Sequence, residues 1–565
     1  MTHSTQNRYY TAIHGADPKR QGELRRLNNF IAGEWKPSRT AVYRDAFNPS
    51  TGEVIAKVPA SLPDELNSAV AAAREAFPAW ADTPVYKRVS VLFRMKALVD
   101  KHLDELVRLL CIEQGKTWNE SLGDVLKAQE VIEFACGMPQ LLKGESLMNV
   151  SSQYDTVQYL EPVGVFLGLA PWNFPAMIPH GWMIPLCLAA GNTFVLKAAS
   201  AAPQSALRFT ELWMEAGLPP GVLNVITCAP DDVSLFIQHP DIVGVSFVGS
   251  SETGARVYAE AAAEGKRVQV LGEAKNHALV MADCALERTA AGIINAFCGC
   301  AGQRCMALPV VVAEEPVADA LVRLLREKAA HLKLGPAYDK NTTLGPLVSA
   351  SRRKNVLDWI GRGIREGAEL VLDGRGISVP GYENGFFIGP TLFDHVTPGM
   401  SIGEQEIFGP VLCIKRVRNF YVGRHTGQSV RKLRKAELTS PRTHVPDKQK
   451  GSRVLDSGAF FSASAPFQRR VRKLFEKDAH CPHMRKHDFA GFFRLAVADC
   501  PNQFFMRIKY MDGKIDIRLQ QMFGVKQHAG GEILNENQQR ILRGVGHGGV
   551  KPDFVFVDLF QFTVA

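Results

Sequence analysis

The hydrophobic residues of the chain follow two alternating patterns between residues 163 and 271. Short continuous apolar runs, which predict buried strands, are separated by longer stretches of helical apolar spacing. This alternation with short links indicates right-handed crossovers and a parallel sheet whose faces are both covered. The predicted strands span residues 163–169, 193–197, 223–227, 242–248 and 267–271. Ligands bind such sheets at the carboxyl ends of the strands, so the loops that carry Asn173, Lys197 and Gly249 are the candidate binding loops.

Similar patterns continue on both sides of this region. Before it, helices are predicted over residues 64–77 and 119–135, a long helix or a kinked pair of helices over residues 86–113, and a pair of extended strands over residues 146–161. After it, a second α/β unit is predicted, with strands 278–281, 310–313, 369–372 and 411–417 and helices 286–297, 317–332 and 352–366. Residues 389–392 and 403–410 are predicted to be compact polar turns.

Composition narrows the class of protein. The chain has 565 residues, of which 46% are hydrophobic and 22% charged, as is usual for a globular protein. It has no run of 18 apolar residues, so we expect no membrane span. The first 29 residues are polar and lack the apolar segment of a secretory signal. Eleven unevenly spaced cysteines without such a signal indicate reduced thiols. We therefore expect a cytoplasmic protein, or one of the mitochondrial matrix if the source is eukaryotic.

Charge is distributed unevenly along the chain, whose net charge is +9. Residues 421–565 hold 25 Lys and Arg against 13 Asp and Glu, whereas residues 1–420 hold 41 against 44. A mildly acidic body (net −3) thus precedes a strongly basic end (net +12), which indicates a boundary near Phe420. Basic charge alone is weak support for nucleic-acid binding. A cluster at His480, Cys481, His483 and His487 is better explained as accidental than as a metal site, and we expect no metal.

Three cysteines, Cys298, Cys300 and Cys305, lie within eight residues. Free cysteines are usually small buried hydrophobic residues, and we favour that interpretation for Cys298 and Cys300. The spacing matches no zinc pattern. Cys305 directly follows Arg304, in a turn of small residues that a substrate can approach closely. A thiol reacts as the thiolate, which needs a nearby positive field or base at neutral pH, so the role of Cys305 depends on its surroundings.

Six segments that occur in order along residues 28–420 resemble motifs of the aldehyde dehydrogenase superfamily. They are Pro-Trp-Asn-Phe-Pro at 171–175, Gly-Asn-Thr at 191–193 leading to Lys197, Gly-Leu-Pro-Pro-Gly at 217–221, Phe-Val-Gly-Ser at 247–250, Gly-Gln-Arg-Cys at 302–305 and Glu-Ile-Phe-Gly-Pro at 406–410. Lys-Asn-His at 275–277 and Arg-Cys-Met-Ala at 304–307 further resemble the methylmalonate-semialdehyde dehydrogenase branch, which acylates CoA. Ordinary structural roles explain single residues of these motifs: a turn glycine for Gly249, a solvated side chain for Lys197 and an Asx turn for Asn173. They do not explain why all the motifs occur together in this order.

The resemblance implies an α/β fold that combines a Rossmann-type parallel-sheet cofactor domain with an α/β catalytic domain. Its expected parts are residues 28–145, the N-terminal part of the cofactor-binding domain; 146–162, bridging and oligomerisation strands; 163–272, the Rossmann-type NAD-binding domain; 273–420, an incomplete catalytic domain; and 421–565, a basic tail unlike the family.

The resemblance also assigns roles to residues. Cys305 would attack the aldehyde carbon as thiolate, and the amide of Asn173 with the backbone N–H of Cys305 would hold the oxyanion. A hydride would pass to NAD, leaving a thioester on Cys305. Lys197 would hold the adenosine ribose, and Gly249 and Ser250 the pyrophosphate at a helix N-terminus. The implied cofactor-binding residues are Ala170, Pro171, Trp172, Lys197, Ser200, Gly249, Ser250, Glu406 and Phe408.

Three departures from the family pattern refine this expectation. Leu271 occupies the place of the Glu that activates water in hydrolytic members, and Glu273 lies two residues later, so transfer to CoA is favoured over hydrolysis. Ser200 replaces an acidic residue common three positions after the cofactor lysine, which leaves NADP open beside NAD. Lys127 stands where the semialdehyde branch usually has Arg. It could pair with a substrate carboxylate without the bidentate fork, and Arg304 is the other carboxylate partner.

The tail beyond Phe420 lacks the family's closing segments, including the strand that joins a neighbouring subunit. We expect this tail to be largely irregular and to reflect a change of reading frame. Without the missing strand, a family-like homo-oligomer is in doubt. The apolar faces of strand 411–417 would also lack packing neighbours. Two functions follow. The first is an NAD-dependent, CoA-acylating dehydrogenase of malonate or methylmalonate semialdehyde. The alternative is a catalytically impaired protein of this fold that binds nucleotides or partners, with the basic tail as an interaction segment.

Overall fold

The computed structural model describes residues 24–419 and three strands within residues 491–521. The chain divides into two units, Met1–Arg442 and Thr443–Ala565, and every candidate site residue lies in the first. Within the described residues, none of the helices is long and apolar enough to cross a membrane.

The strands of the first unit are introduced here in chain order. They are β1 (Asn29–Ile31), β2 (Glu34–Lys36), β3 (Tyr43–Phe47), β4 (Val54–Pro59), β5 (Ser146–Ser151), β6 (Tyr154–Val157), β7 (Val165–Leu169), β8 (Thr193–Lys197), β9 (Leu223–Ile226), β10 (Ile242–Val248), β11 (Arg267–Leu271), β12 (His277–Val280), β13 (Val310–Glu314), β14 (Glu369–Leu372), β15 (Thr391–Asp394) and β16 (Val411–Val417).

The α-helices of the same unit complete the layers. They are α1 (Pro63–Asp82), α2 (Val85–Lys101), α3 (Leu103–Gln114), α4 (Trp118–Ala135), α5 (Met138–Leu141), α6 (Ile184–Ala189), α7 (Pro203–Glu215), α8 (Val233–Gln238), α9 (Ser251–Ala263), α10 (Leu286–Cys298), α11 (Glu315–Ala330) and α12 (Ala350–Arg365). A π-helical turn, Ile178–Met183, precedes α6, and a short 3₁₀ turn, Gly299–Gly302, follows α10.

The larger sheet has the strand order β11-β10-β7-β8-β9-β1-β2. Its five strands from β7 to β11 are parallel. At the β9 edge, β1 is antiparallel to β9, and β2 is antiparallel to β1. Leu167, Val195 and Val225, from three neighbouring strands, are completely buried, as expected for strands covered on both faces. The parallel sheet predicted from the alternating pattern is confirmed.

The smaller sheet has the order β12-β13-β16-β15-β14, in which only β14 is antiparallel to its neighbour. Two predictions for this region were wrong. Residues 391–392 were assigned to a turn but begin β15, because this short apolar strand lies buried between β14 and β16. Strand β16 was expected to lack neighbours, yet it lies between β13 and β15, and Leu412 and Ile414 are completely buried.

Two predictions for the N-terminal half agree with the structure. Residues 86–113, predicted as a long helix or a kinked pair, form two helices, α2 and α3, which are separated at His102 where the backbone leaves the helical conformation (φ −107°, ψ 17°). The predicted strand pair within 146–161 is the hairpin β5–β6, and all its residues are exposed.

In the second unit, Gly491–Arg494, Phe504–Met511 and Lys514–Gln521 are the strands β17, β18 and β19 of an antiparallel sheet. These three short strands do not test the expectation of a largely irregular tail beyond Phe420. The rest of that expectation, the proposed change of reading frame and the cluster around His480 lie outside the described residues.

Candidate functional site

The loop that carries Cys305 is bent tightly between α10 and β13. Cys300 and Ala301 adopt left-handed backbone conformations (φ 52° and 51°), which are unfavourable for residues with a Cβ atom. Gly302 is also left-handed, and a Cβ at that position would lie 2.1 Å from the carbonyl oxygen of Gly409. Only glycine permits this close approach, so the Cys305 loop is pressed against the 406–410 turn.

Two amide side chains hold this loop in place. Asn276 Nδ2 donates to the carbonyl oxygens of Cys305 (2.9 Å) and Ala307 (2.7 Å). Gln303, which is buried, donates through Nε2 to the carbonyl of Cys300 (3.1 Å) and accepts through Oε1 from the backbone N–H of Val348 (3.0 Å). Neither residue had a predicted role, although Asn276 lies in the Lys-Asn-His motif and Gln303 in the Gly-Gln-Arg-Cys motif.

The thiol of Cys305 is partly exposed, unlike those of Cys298 and Cys300, which are buried. Burial and the charge of Glu406 raise the pKa of Cys305, whereas the backbone N–H groups of Cys305 and Met306 lower it. Burial raises the pKa of Cys300 to about 11 and that of Cys298 well above its ordinary value. The accessible thiol is therefore Cys305, and the other two have the surroundings of inert core residues.

Asn173 reaches the Cys305 loop from the larger sheet. It follows β7, is 4% exposed, and donates through Nδ2 to the carbonyl oxygen of Gln303 (3.1 Å). The segment after it is capped by Asp124, whose Oδ1 accepts the backbone N–H of Met177 (2.7 Å). Asp124 in turn pairs with Lys116 (2.5 Å) in a fully buried ion pair. Neither partner was predicted, because an ion pair between the loop residue Lys116 and the helical residue Asp124 leaves no periodic signal.

The predicted cofactor residues lie at the carboxyl ends of the parallel strands, except Glu406 and Phe408, which lie in the 406–410 turn. Lys197 ends β8, and its carbonyl accepts the backbone N–H of Ala170 (3.4 Å), so the two loops are adjacent. Burial lowers the pKa of Lys197, and its ammonium has no hydrogen bond or ion pair within the described residues. A buried cation without a protein partner fits the hydroxyl oxygens of a nucleotide ribose. Ser200, nearby in the same loop, is half-buried.

Gly249 and Ser250 lie at the N-terminus of α9. Ser250 is the N-cap, and its Oγ accepts the backbone N–H of Thr253 (3.4 Å). A Cβ at Gly249 would lie 2.5 Å from the ring of Phe247, so this turn needs glycine. The free N–H groups of the first helical turn fit an anion such as a pyrophosphate. Pro171 lies in the facing loop with Trp172.

Trp172 and Phe408 meet edge to face, with ring centroids 5.5 Å apart, and thereby join the loop after β7 to the 406–410 turn. Arg352 packs over the Phe408 ring (5.7 Å) and donates through Nη2 to the carbonyl of Ile407 (3.3 Å). Burial and the charge of Glu273 raise the pKa of Glu406 to about 7. Glu273 therefore acts electrostatically on Glu406, and Leu271 still occupies the position two residues before it.

The two predicted carboxylate partners have different surroundings. Arg304 donates through Nε to Cys300 Sγ (3.1 Å) and through Nη2 to Glu120 Oε1 (3.3 Å). Lys127 is exposed on α4 and pairs with Glu130 (2.6 Å). The structure thus brings Arg304, but not Lys127, into a network with the Cys305 loop. No group of three or more potential metal ligands occurs in the described part of the chain.

Comparisons with known proteins agree with this arrangement. The profile of the aldehyde dehydrogenase family matches residues 35–421. Malonate-semialdehyde dehydrogenase 3 of Geobacillus kaustophilus is 47% identical over 397 residues, which are 70% of this chain and 82% of the relative. A malonate-semialdehyde dehydrogenase of Bacillus subtilis is 43% identical over 398 residues, 70% of this chain and 81% of the relative.

Solved structures show the same similarity. The structure of methylmalonate-semialdehyde dehydrogenase from Oceanimonas doudoroffii is 39% identical, with a TM-score of 0.70, over 71% of this chain and 82% of that one. A Sinorhizobium meliloti protein named for the same activity and complexed with NAD is 40% identical, with a TM-score of 0.70, over 72% of this chain and 83% of that one.

Proposed function

This chain belongs to the aldehyde dehydrogenase family, and from that premise we propose that it oxidises malonate or methylmalonate semialdehyde with NAD and transfers the acyl group to CoA. The observation that carries the proposal is the hydrogen bond from the side-chain amide of Asn173 to the carbonyl oxygen of Gln303, in the loop that carries Cys305. It brings a partly exposed thiol and an amide donor to one place, between the carboxyl ends of the parallel strands and the 406–410 turn.

The proposed reaction begins at Cys305. Its thiolate attacks the aldehyde carbon, and the oxyanion is held by the second N–H of Asn173 Nδ2 and the backbone N–H of Cys305. Loss of a hydride from this adduct would leave a thioester on Cys305, and NAD, when bound, would supply the hydride acceptor. The thiolate of CoA then attacks the thioester carbonyl, the carbon–sulfur bond to Cys305 breaks, and acyl-CoA leaves.

The protein's own residues hold the cofactor in this proposal. The ammonium of Lys197 meets the adenosine ribose, the first turn of α9 with Gly249 and Ser250 meets the pyrophosphate, and Glu406 with Phe408 meets the nicotinamide end. Ala170, Pro171, Trp172 and Ser200 line the same edge. Arg304 meets the carboxylate of the substrate.

CoA as the acceptor is supported by Leu271. Its apolar side chain at the end of β11 cannot activate water, and a general base typically contributes about 10²–10⁴-fold. The test is turnover of malonate semialdehyde with NAD, with and without CoA, followed by NADH absorbance and mass spectrometry of the product. We expect CoA to accelerate turnover and acyl-CoA to form. Free acid without acyl-CoA, in the presence of CoA, would contradict the proposal.

We further propose a homo-oligomer. The hairpin β5–β6 and the residues after it expose large apolar side chains, including Leu147, Met148, Tyr154 and Tyr159, each at least 60% exposed. Apolar surface of this kind usually marks an interface. Sedimentation of the purified full chain tests this, and a monomer at micromolar concentration would contradict it.

A catalytically impaired binding protein is the less favoured function, because the residues expected for catalysis are all present.

A further inference from the structure

The guanidinium of Arg304 is held on three sides. Its Nε donates to Cys300 Sγ (3.1 Å) and its Nη2 to Glu120 Oε1 (3.3 Å). Its flat face lies on Gly299, because a Cβ there would be 2.4 Å from both Cζ and Nη1. Nη1 has no hydrogen-bond partner within the described residues. The group is therefore fixed in direction, and both N–H groups of Nη1 remain available to a ligand.

Glu120 is itself rigidly anchored. It lies in the first turn of α4, where Oε2 accepts the backbone N–H of Thr117 (3.0 Å). Its Oε1 also accepts the backbone N–H of Cys300 (2.6 Å), at the left-handed position of the Cys305 loop. Glu120 is mostly buried, with 14% of its side chain exposed. A carboxylate held by two backbone groups cannot follow a moving arginine, so it holds Arg304 in place.

The substrate proposed above needs a cation close to Cys305. One carbon separates the aldehyde carbon of malonate semialdehyde from its carboxylate, so the carboxylate stays within a few bond lengths of the Cys305 sulfur. Arg304 directly precedes Cys305 in the chain, and its guanidinium lies among Cys300, Glu120 and Gly299. The alternative cation, Lys127, is 60% exposed and already paired with Glu130.

We propose that Glu120 and Gly299 are positioning residues that determine specificity for carboxylated aldehydes. Glu120 anchors Arg304 and Gly299 provides the flat surface on which its guanidinium lies, so that Nη1 points to the substrate carboxylate. This inference rests on the proposed substrate class. An arginine ordered before binding loses less conformational freedom when the substrate arrives, which strengthens binding without any new contact.

Gly299→Ala is the sharpest test, because the added methyl group must displace the guanidinium while its charge remains. The backbone at this residue (φ −54°, ψ 132°) accepts alanine without strain. The substrates are malonate semialdehyde and propanal, which has the same three carbons without the carboxylate. We expect KM for malonate semialdehyde to rise about tenfold or more, the scale of a charge-assisted hydrogen bond, and that for propanal to change less than about twofold.

Gly292→Ala is the matched control. Gly292 lies in the preceding helix α10, and a Cβ there meets nothing within 4 Å. Gly292→Ala should leave KM unchanged for both malonate semialdehyde and propanal. Equal losses for both substrates in Gly299→Ala, or no loss for either, would overturn the proposal. If Gly299→Ala does not fold, as judged by its thermal melt, the Glu120 variants decide the question.

Glu120→Ala should raise KM for malonate semialdehyde and not for propanal. Glu120→Gln keeps an acceptor oxygen, so its KM for malonate semialdehyde should be close to that of the unaltered protein. If Glu120→Gln instead lowers this KM below that of the unaltered protein, Glu120 competes with the substrate and does not position Arg304. Arg304→Gln separates the two proposals. If it leaves the preference for malonate semialdehyde over propanal unchanged, the proposed role of Arg304 itself fails. If it removes the preference and Gly299→Ala does not, only the present inference fails.

Discussion

The side-chain amide of Asn173 donates a hydrogen bond to the backbone carbonyl of Gln303, 3.1 Å away, and so joins loops that are 130 residues apart in the chain. One loop follows the first parallel strand of the larger sheet, and the other precedes Cys305. Because an amide nitrogen carries two hydrogens, Asn173 has one N–H bonded to the Cys305 loop and another available for a reacting carbonyl.

Replacing Asn173 should therefore slow the chemical step. We expect Asn173→Ala to lower kcat about 10²–10³-fold, the usual effect of removing one oxyanion donor. Asn173→Asp should be at least as harmful, because a carboxylate repels the developing charge. Steady-state kinetics with excess NAD measure this, and NAD binding by fluorescence titration should stay unchanged. A variant with full kcat would exclude Asn173 from the reaction.

Cys305 should be the essential cysteine. Cys305→Ala should abolish propanal oxidation and leave NAD binding intact, because no other accessible thiol lies in the Cys298–Cys305 cluster. Cys300→Ala is the matched control, since Cys300 is 2% exposed. Propanal is the substrate of choice here because it makes no demand on Arg304. Equal loss of activity in both variants, or substantial turnover by Cys305→Ala, would show the assignment to be wrong.

The buried pair of Lys116 and Asp124 should matter for stability. Both side chains are completely shielded from solvent, so Lys116→Met leaves an unpaired buried carboxylate and should cost about 3–5 kcal/mol. Adding Asp124→Asn removes that charge and keeps an acceptor for the N–H of Met177, so the double variant should recover part of the loss. Urea unfolding measures both. A double variant no more stable than Lys116→Met would refute the argument.

Glu406 should make cofactor binding depend on pH. Burial and Glu273 raise its pKa from 4.5 to about 7. The folded state therefore favours the protonated form, and this contribution to stability is complete below about pH 4.5 and lost as pH rises through 7. If the carboxylate accepts ribose hydroxyls, KM for NAD should fall as pH rises through about 7. Glu273→Gln should move that midpoint to lower pH, and an unmoved midpoint would assign it to another group.

NADP should be usable beside NAD. Burial and, to a lesser degree, the positive charge of Arg44 lower the pKa of Lys197, so Arg44 is a second cation near the proposed adenosine site, and Ser200 contributes no opposing charge. Ser200→Glu should lower kcat/KM with NADP by at least about tenfold and change that with NAD much less, because like charges in contact repel strongly. Titration with 2′,5′-ADP and with AMP gives the same comparison without turnover. No binding of 2′,5′-ADP by the unaltered protein would contradict this.

The sequence by itself determined the parallel sheet, the family and the identity of the candidate nucleophile. Buried strands leave continuous apolar runs, and the helices between them leave a different period, so strands such as Thr193–Lys197 were found with their observed bounds. Motif residues can also be recognised from the sequence, because the turns at Gly302 and Gly249 leave no room for a side chain. Such requirements are local, and local requirements can be recognised in one sequence.

Only the tertiary structure decided which side chains meet. Glu120 and Arg304 are 184 residues apart, and the spacing from Thr117 to Glu120 indicates a helix N-terminus but no partner across the site. From the sequence, both Lys127 and Arg304 were candidates to bind a substrate carboxylate. In the fold, Lys127 is exposed on α4, whereas the guanidinium of Arg304 packs on Gly299. Contacts of this kind depend on how separate elements pack together, and packing between distant segments imposes no period or spacing on the chain.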